Sequence, residues 1–83
     1  LAQGGLRFTD FHSNGAVCSP TRAALMTGRY QQRAGIAEVI TAANDRDKGL
    51  ATTEATLPKM LRKAGYRTGM FGKWHLGYRP EFN

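Results

Sequence analysis

Four side chains carry most of the chemistry this sequence offers: Cys18, Arg22, Lys73 and His75. Cys18 is the only cysteine and directly precedes Ser19-Pro20, a pair that starts helices, with Ser as N-cap and Pro at the first helical position. A helix N-terminus carries partial positive charge and unpaired N–H groups, which favour a thiolate or a bound anion. Position alone is equally consistent with a small buried thiol. Arg22 follows four residues later, so the two can face the same way at a helix start. A fixed guanidinium there would serve an oxyanion or a tetrahedral anion, although a solvated surface arginine is the simpler reading of Arg22 taken alone. Lys73 and His75 are two apart after a segment that reads as a strand. In an extended chain, residues i and i+2 point to one side, which would converge a cation and a ring that titrates near neutral pH. Spacing by itself is also satisfied by an exposed lysine and a hydrogen-bonded histidine. Asp10 and His12 are likewise two apart at a strand end, with no evident third partner. The sequence contains neither a Gly-rich phosphate loop followed by Lys-Ser/Thr nor a two-histidine helical zinc pattern.

The elements that must position these residues follow from local pattern. Residues 6–11 alternate apolar and polar, the period of a half-buried strand, and His12-Ser13-Asn14-Gly15 ends it with turn formers. A short helix is expected from Ser19-Pro20 to Thr27, stopped by Gly28. Residues 29–47 show no clear period, and 44–49 are polar and turn-like. Thr53 or Thr56 caps a second helix, and a start near Thr56 is favoured because Pro58 is tolerable only in a first turn. Leu57, Met60, Leu61 and Ala64 make its apolar face, and Gly65 ends it. Residues 66–71 read as a second strand, with 72–77 as a loop at its carboxyl end. The order strand, helix, loop, helix, strand predicts an α/β protein with a largely parallel sheet. In such sheets ligands lie beyond the carboxyl ends of strands, where both Cys18 and the 73–75 segment fall.

Length and composition bound the remaining possibilities. Eighty-three residues make one small domain at most and a marginal core. The apolar share of 41% argues against disorder. No apolar run approaches the roughly 20 residues that span a bilayer, so no membrane span is expected. The opening Leu1-Ala2-Gln3-Gly4-Gly5 has no Met and no leader pattern, and the chain is expected to be a piece of a larger protein. The net charge of +6 raises nucleic-acid binding by a small basic module. However, the basic residues are scattered rather than striped, and only Lys59, Arg62 and Lys63 fall together, at the spacing of a solvated helix face. No nucleic-acid partner is therefore expected.

Two segments carry a family resemblance. Cys18-Ser19-Pro20-Thr21-Arg22, followed by Thr27-Gly28-Arg29, resembles the first signature of the type I, formylglycine-dependent sulfatases. Gly65-Tyr66-Arg67-Thr68, followed by Gly72-Lys73-Trp74-His75-Leu76-Gly77, resembles the second. The upstream Phe8-Thr9-Asp10-Phe11-His12-Ser13 is similar to the strand that precedes the family's cysteine. Both signatures occur in order and at a plausible separation, which is more specific than either alone. The resemblance implies an alkaline-phosphatase-like, doubly wound α/β fold, of which residues 1–83 form a partial catalytic domain, incomplete at both ends, from the N-terminal half.

The resemblance also implies a chemistry. Cys18 would be oxidised to formylglycine by a separate formylglycine-generating enzyme, with Pro20 and Arg22 matching the recognition pattern. A hydrated aldehyde carries two hydroxyls on one carbon. One attacks the sulfur of a sulfate ester, and the other then loses its proton to expel sulfate and restore the aldehyde, an exit that serine or cysteine lacks. Residue 18 would be both nucleophile and one ligand of a divalent cation, usually Ca2+. Arg22 would hold the formylglycine oxygen, Lys73 would neutralise the sulfate, and His75 would bond the formylglycine hydroxyl and assist elimination. Thr27, Gly28 and Arg29 read as structural. The substrate would be a sulfated carbohydrate or aryl sulfate, and the compartment periplasmic, secreted or lysosomal. A phosphonate or phosphate monoester hydrolase of the same superfamily shares the nucleophile motif and is the alternative. The family's paired aspartates, its downstream Asp-Asn ligands, second His and second Lys have no counterparts in these residues, so this piece alone is expected to bind no metal and to catalyse nothing.

Overall fold

Val17 enters α1 (Cys18–Thr27) from an extended conformation, φ −131° and ψ 168°. The computed structural model describes residues 1–82. Pro20 falls within the first turn, where its missing N–H is harmless. Gly28 closes the helix in the left-handed region (φ 65°), its N–H donating to the Ala24 carbonyl at 2.8 Å. The expectation that Ser19 caps this helix is corrected. The N-cap is Val17, with no side-chain cap bond, because the Ser19 hydroxyl is committed elsewhere. It is fully buried and accepts the Ile40 N–H at 3.1 Å.

The second helix, α2 (Leu57–Lys63), starts after Thr56 with Pro58 in its first turn, as its sequence requires. Its end is a Schellman motif: Tyr66 N–H reaches the Leu61 carbonyl and Gly65 N–H the Arg62 carbonyl, each at 3.0 Å. Gly65 sits at φ 90°, a conformation that a side chain would resist. The apolar face of α2 packs against little here, since none of its residues is buried. A short 3-10 helix (Pro80–Phe82) follows the second signature.

The two strands expected over residues 6–11 and 66–71 do not form among the described residues. The only ladder-type contact is an isolated antiparallel bridge between Gly49 and Gly77. The reason is physical. Alternation marks which side chains would face a core, but a strand exists only when a neighbour accepts and donates its backbone hydrogen bonds. No described segment pairs its backbone with either stretch, and Leu6, Phe8, Phe11, Met70 and Phe71 are exposed.

The core that does form is small. Ala23 of α1 packs with Ala34, Ile36, Ile40, Leu50 and Leu76, and Met26 and Trp74 lie partly buried against them. Tight turns fold the periodless 30–36 segment back on itself, with Ala34 N–H on the Tyr30 carbonyl (3.2 Å) and Ile36 N–H on the Gln31 carbonyl (3.0 Å). Asp45 closes the next turn by accepting from the Thr41 N–H (3.0 Å) and hydroxyl (2.8 Å). Leu50 N–H then donates to the Leu76 carbonyl at 2.8 Å, which pins the 72–77 loop across the start of α1. Phe82 seals this junction: its carbonyl accepts the Trp74 indole N–H at 2.8 Å, and its ring lies flush on Gly49 and Gly77.

Candidate active site

Cys18 is the first helical residue of α1, so the unpaired N–H groups of the opening turn lie around it. The thiol is exposed, which removes the buried-thiol reading. One turn on, Arg22 is half-buried, and its Nη1 donates to the backbone carbonyl of Lys73. This bond ties α1 to the second-signature loop, and Arg22 is thereby fixed rather than solvated at random. Lys73 Nζ lies 3.5 Å from Cys18 Sγ. Three of the four residues singled out from the sequence are therefore linked: Cys18 at an exposed helix N-terminus, the Lys73 ammonium beside its sulfur, and Arg22 bonded to the Lys73 backbone.

His75 is placed differently. The extended geometry that would put it beside Lys73 is broken, because His75 adopts φ 57°, the only positive φ among the described non-glycine residues. Its Nε2 lies 2.8 Å from the Ile40 carbonyl, and its ring meets Tyr78 edge-on at a centroid distance of 6.0 Å. A carbonyl only accepts, so Nε2 carries the proton in that bond. Nδ1 is buried and has no partner among the described residues. Asp10 and His12 pair with each other at 2.5 Å on an exposed stretch and are not joined to this cluster by any hydrogen bond among the described residues.

Two concavities lie along α1. One of about 270 Å3 is lined by Arg22 and Lys73 together with Met26, Met70, Trp74 and Leu76, among others. The other, about 750 Å3, runs along the other side of α1 by His12, Arg29 and Arg33 and includes none of Cys18, Arg22, Lys73 or His75. Sequence reasoning passed over Ser19 as anything but a cap, and over Ile40 and Tyr78 altogether. Ile40 acts through its backbone, which no residue pattern advertises, and Tyr78 is signalled only by lying three residues after His75.

With this geometry in view, the comparisons with known proteins are direct. The sulfatase family profile matches residues 1–83. Human arylsulfatase A is 49% identical over 81 residues, covering 98% of this chain and 16% of that protein. Dog arylsulfatase G is 46% identical over 88 residues, covering 99% and 16%. Human N-acetylgalactosamine-6-sulfatase is 43% identical over 91 residues, covering 100% and 17%. No solved structure matches the chain. The chain belongs to the sulfatase family, and that membership implies the alkaline-phosphatase-like α/β architecture. It spans about a sixth of the length of the curated relatives it matches.

Proposed function

We propose that the protein carrying these residues is a sulfuric ester hydrolase, and that residues 1–83 belong to its catalytic domain and supply the nucleophile, Cys18, with the cations that face its substrate, Arg22 and Lys73. The observation that carries this reading is the meeting of Lys73 Nζ with Cys18 Sγ, at 3.5 Å, on the N-terminus of α1, in a chain of this family. Oxidised to formylglycine by a formylglycine-generating enzyme, residue 18 supplies a hydrated aldehyde whose two hydroxyls serve attack and release. The exposure of Cys18 is what a maturation enzyme requires. Arg22 orients the loop through the Lys73 carbonyl and adds positive charge beside residue 18. Lys73 places its ammonium where the anionic ester group would sit, and charge prearranged in this way is commonly the largest catalytic contribution. The substrate class that fits is a sulfated carbohydrate or aryl sulfate, and the compartment is periplasmic, secreted or lysosomal.

A divalent cation such as Ca2+ is not held by these residues alone. Among the described residues no three of His, Cys, Asp and Glu converge, and the charged side chain at Cys18 is the cationic Lys73. Residue 18 would be a single ligand of a site whose other oxygen donors would come from elsewhere in the protein. Nor is any helix among the described residues long and apolar enough to cross a membrane.

The test is made on the full-length protein produced with and without a formylglycine-generating enzyme. Peptide mass analysis should show residue 18 as an aldehyde only in the first case, and turnover of an aryl sulfate should track that fraction. Hydrolysis by protein that keeps an unmodified thiol would overturn the reading.

A further inference from the structure

Hydrogen bonds from both signatures meet on the backbone of one residue that neither signature contains. The Ile40 N–H donates to Ser19 Oγ at 3.1 Å in a buried position, and Ser19 is itself fully buried. The Ile40 carbonyl accepts from His75 Nε2 at 2.8 Å and from the Tyr78 hydroxyl at 3.4 Å. The Ile40 side chain is buried in the core, so this backbone segment is anchored from three directions. Ser19 is the residue after Cys18. The hydroxyl that might have capped α1 instead spans 21 residues of sequence to reach the strut on which His75 rests.

We propose that Ser19 is a positioning residue for His75, acting through the Ile40 backbone to hold the ring as the Nε2–H tautomer and to leave Nδ1 as its one proton-accepting nitrogen. This rests on the reading of His75 as a site residue in sulfate-ester hydrolysis. A neutral imidazole has one donor and one acceptor nitrogen, and the partner of the donor decides which is which. The carbonyl fixes Nε2 as donor. Nδ1, buried and unpartnered, is the nitrogen left to exchange a proton with a reacting hydroxyl. The positive φ of His75 is a costly conformation for a side chain with a β-carbon, and the bond to Ile40 offsets that cost.

The test uses the full-length protein with 15N-labelled histidine, where substitution of His75 by Asn identifies its signals. In the unsubstituted protein near neutral pH, Nδ1 should give the unprotonated-nitrogen signal and Nε2 the protonated one; the reverse assignment overturns the proposal. This readout needs no turnover, so it stands even if the protein hydrolyses no sulfate ester, an outcome that would sink the functional reading instead. Ser19→Ala should blur the two signals towards exchange between tautomers and lower kcat about tenfold with little change in KM, as loss of a histidine's orienting partner does elsewhere. Ser19→Thr, which keeps the hydroxyl, should restore both. Ser19→Ala protein that folds with sharp, unchanged signals and full kcat refutes the positioning role. If Ser19→Ala does not fold, Ser19→Cys, of similar size but a weak acceptor, decides by the same signals: exchange between tautomers supports the role and sharp, unchanged signals refute it.

Discussion

Gly49→Ala tests whether the second-signature loop is held by the Phe82 seal. A Cβ built on Gly49 would lie 2.3 Å from Phe82 Cγ and 2.6 and 2.7 Å from the two Cδ atoms, where ordinary contact begins at 3.4 Å. These are the root of the ring, not the tip of a pliable chain, so the whole ring must move. Overpacking of this kind costs about 1–3 kcal/mol. If Phe82 leaves its place, the Trp74 indole bond to its carbonyl at 2.8 Å goes with it, adding about 1 kcal/mol. We expect Gly49→Ala to destabilise by about 2–4 kcal/mol on these two grounds. In a Phe82→Ala background the ring atoms are gone and the same substitution should be neutral or slightly stabilising, because Gly→Ala at a compatible position gains about 0.4–1 kcal/mol through the unfolded chain. The assay is a double-mutant cycle on the full-length protein, read as denaturant unfolding midpoints of the four proteins. Additivity within about 0.5 kcal/mol would show that Phe82 does not lie on Gly49 and would refute the packing argument. Turnover should fall with the single variant, because the Gly49–Gly77 bridge and the Leu50–Leu76 bond position the loop that presents Lys73.

Three further outcomes follow from the same structure. Lys73→Ala should lower kcat on an aryl sulfate by about 10²–10³, the range for losing one prearranged charge-stabilising donor, while peptide mass analysis still finds residue 18 modified; unchanged kcat would remove Lys73 from the site. Arg22→Lys should behave as a loss rather than a conservative change, because the fork that reaches the Lys73 carbonyl is not reproduced by an ammonium; steady-state kinetics indistinguishable from the unsubstituted protein would contradict this. Asp45 is held at about 2, below its ordinary 3.8, first by the hydrogen bond from Lys48 and then by the Thr41 N–H and hydroxyl. A depressed carboxylate stabilises above its unfolded value and loses that contribution as pH falls towards about 2, so the unfolding midpoint should drop more steeply below about pH 4 in the unsubstituted protein than in Asp45→Asn. Parallel profiles would show that the turn does not hold the charge.

Local signals were legible in proportion to how locally they act. Pro20 and Gly28 bracket α1, and Pro58 and Gly65 bracket α2, because each fixes its own backbone angles; Thr56 stands at the N-cap of α2 but makes no side-chain cap bond, so the capping expected of it is not seen. Ser19 was misread as a cap because an available hydroxyl beside a proline looks the same whether it bonds the helix or Ile40. The strands over 6–11 and 66–71 rest on partners that sequence alternation does not specify. Of the site, the Cys18–Arg22 spacing could be read from helical geometry alone. The approach of Lys73, 55 residues from Cys18, could not, and was reached through the resemblance of two separated motifs. The turn of His75 towards Ile40 was invisible, since it depends on a positive φ and a backbone acceptor.

The placement of charge is what the proposed anion-facing side of a site would require. The six acidic residues are Asp10, Asp45, Asp47, Glu38, Glu54 and Glu81. Five of them pair elsewhere: Asp10 with His12, Asp45 with Lys48, Asp47 and Glu81 with Arg79, and Glu54 with Arg29. Among the described residues no carboxylate pairs with Arg22 or Lys73, and the helix N-terminus at Cys18 adds partial positive charge of the same sign. A cation alone would be repelled from residue 18, whereas a monoanionic sulfate ester meets three sources of positive potential. The strength of that field depends on what covers it. At an effective dielectric near 20, a charge pair is worth roughly four times what it is worth in bulk water, so the exposed Lys73 ammonium gains most when substrate and the remainder of the catalytic domain exclude solvent. The same exclusion makes carboxylate donors from elsewhere necessary before a metal could share residue 18 with two cations. On the proposed reading, the nucleophile and the anion-facing charge fall on these residues, and metal-binding carboxylates would come from outside them.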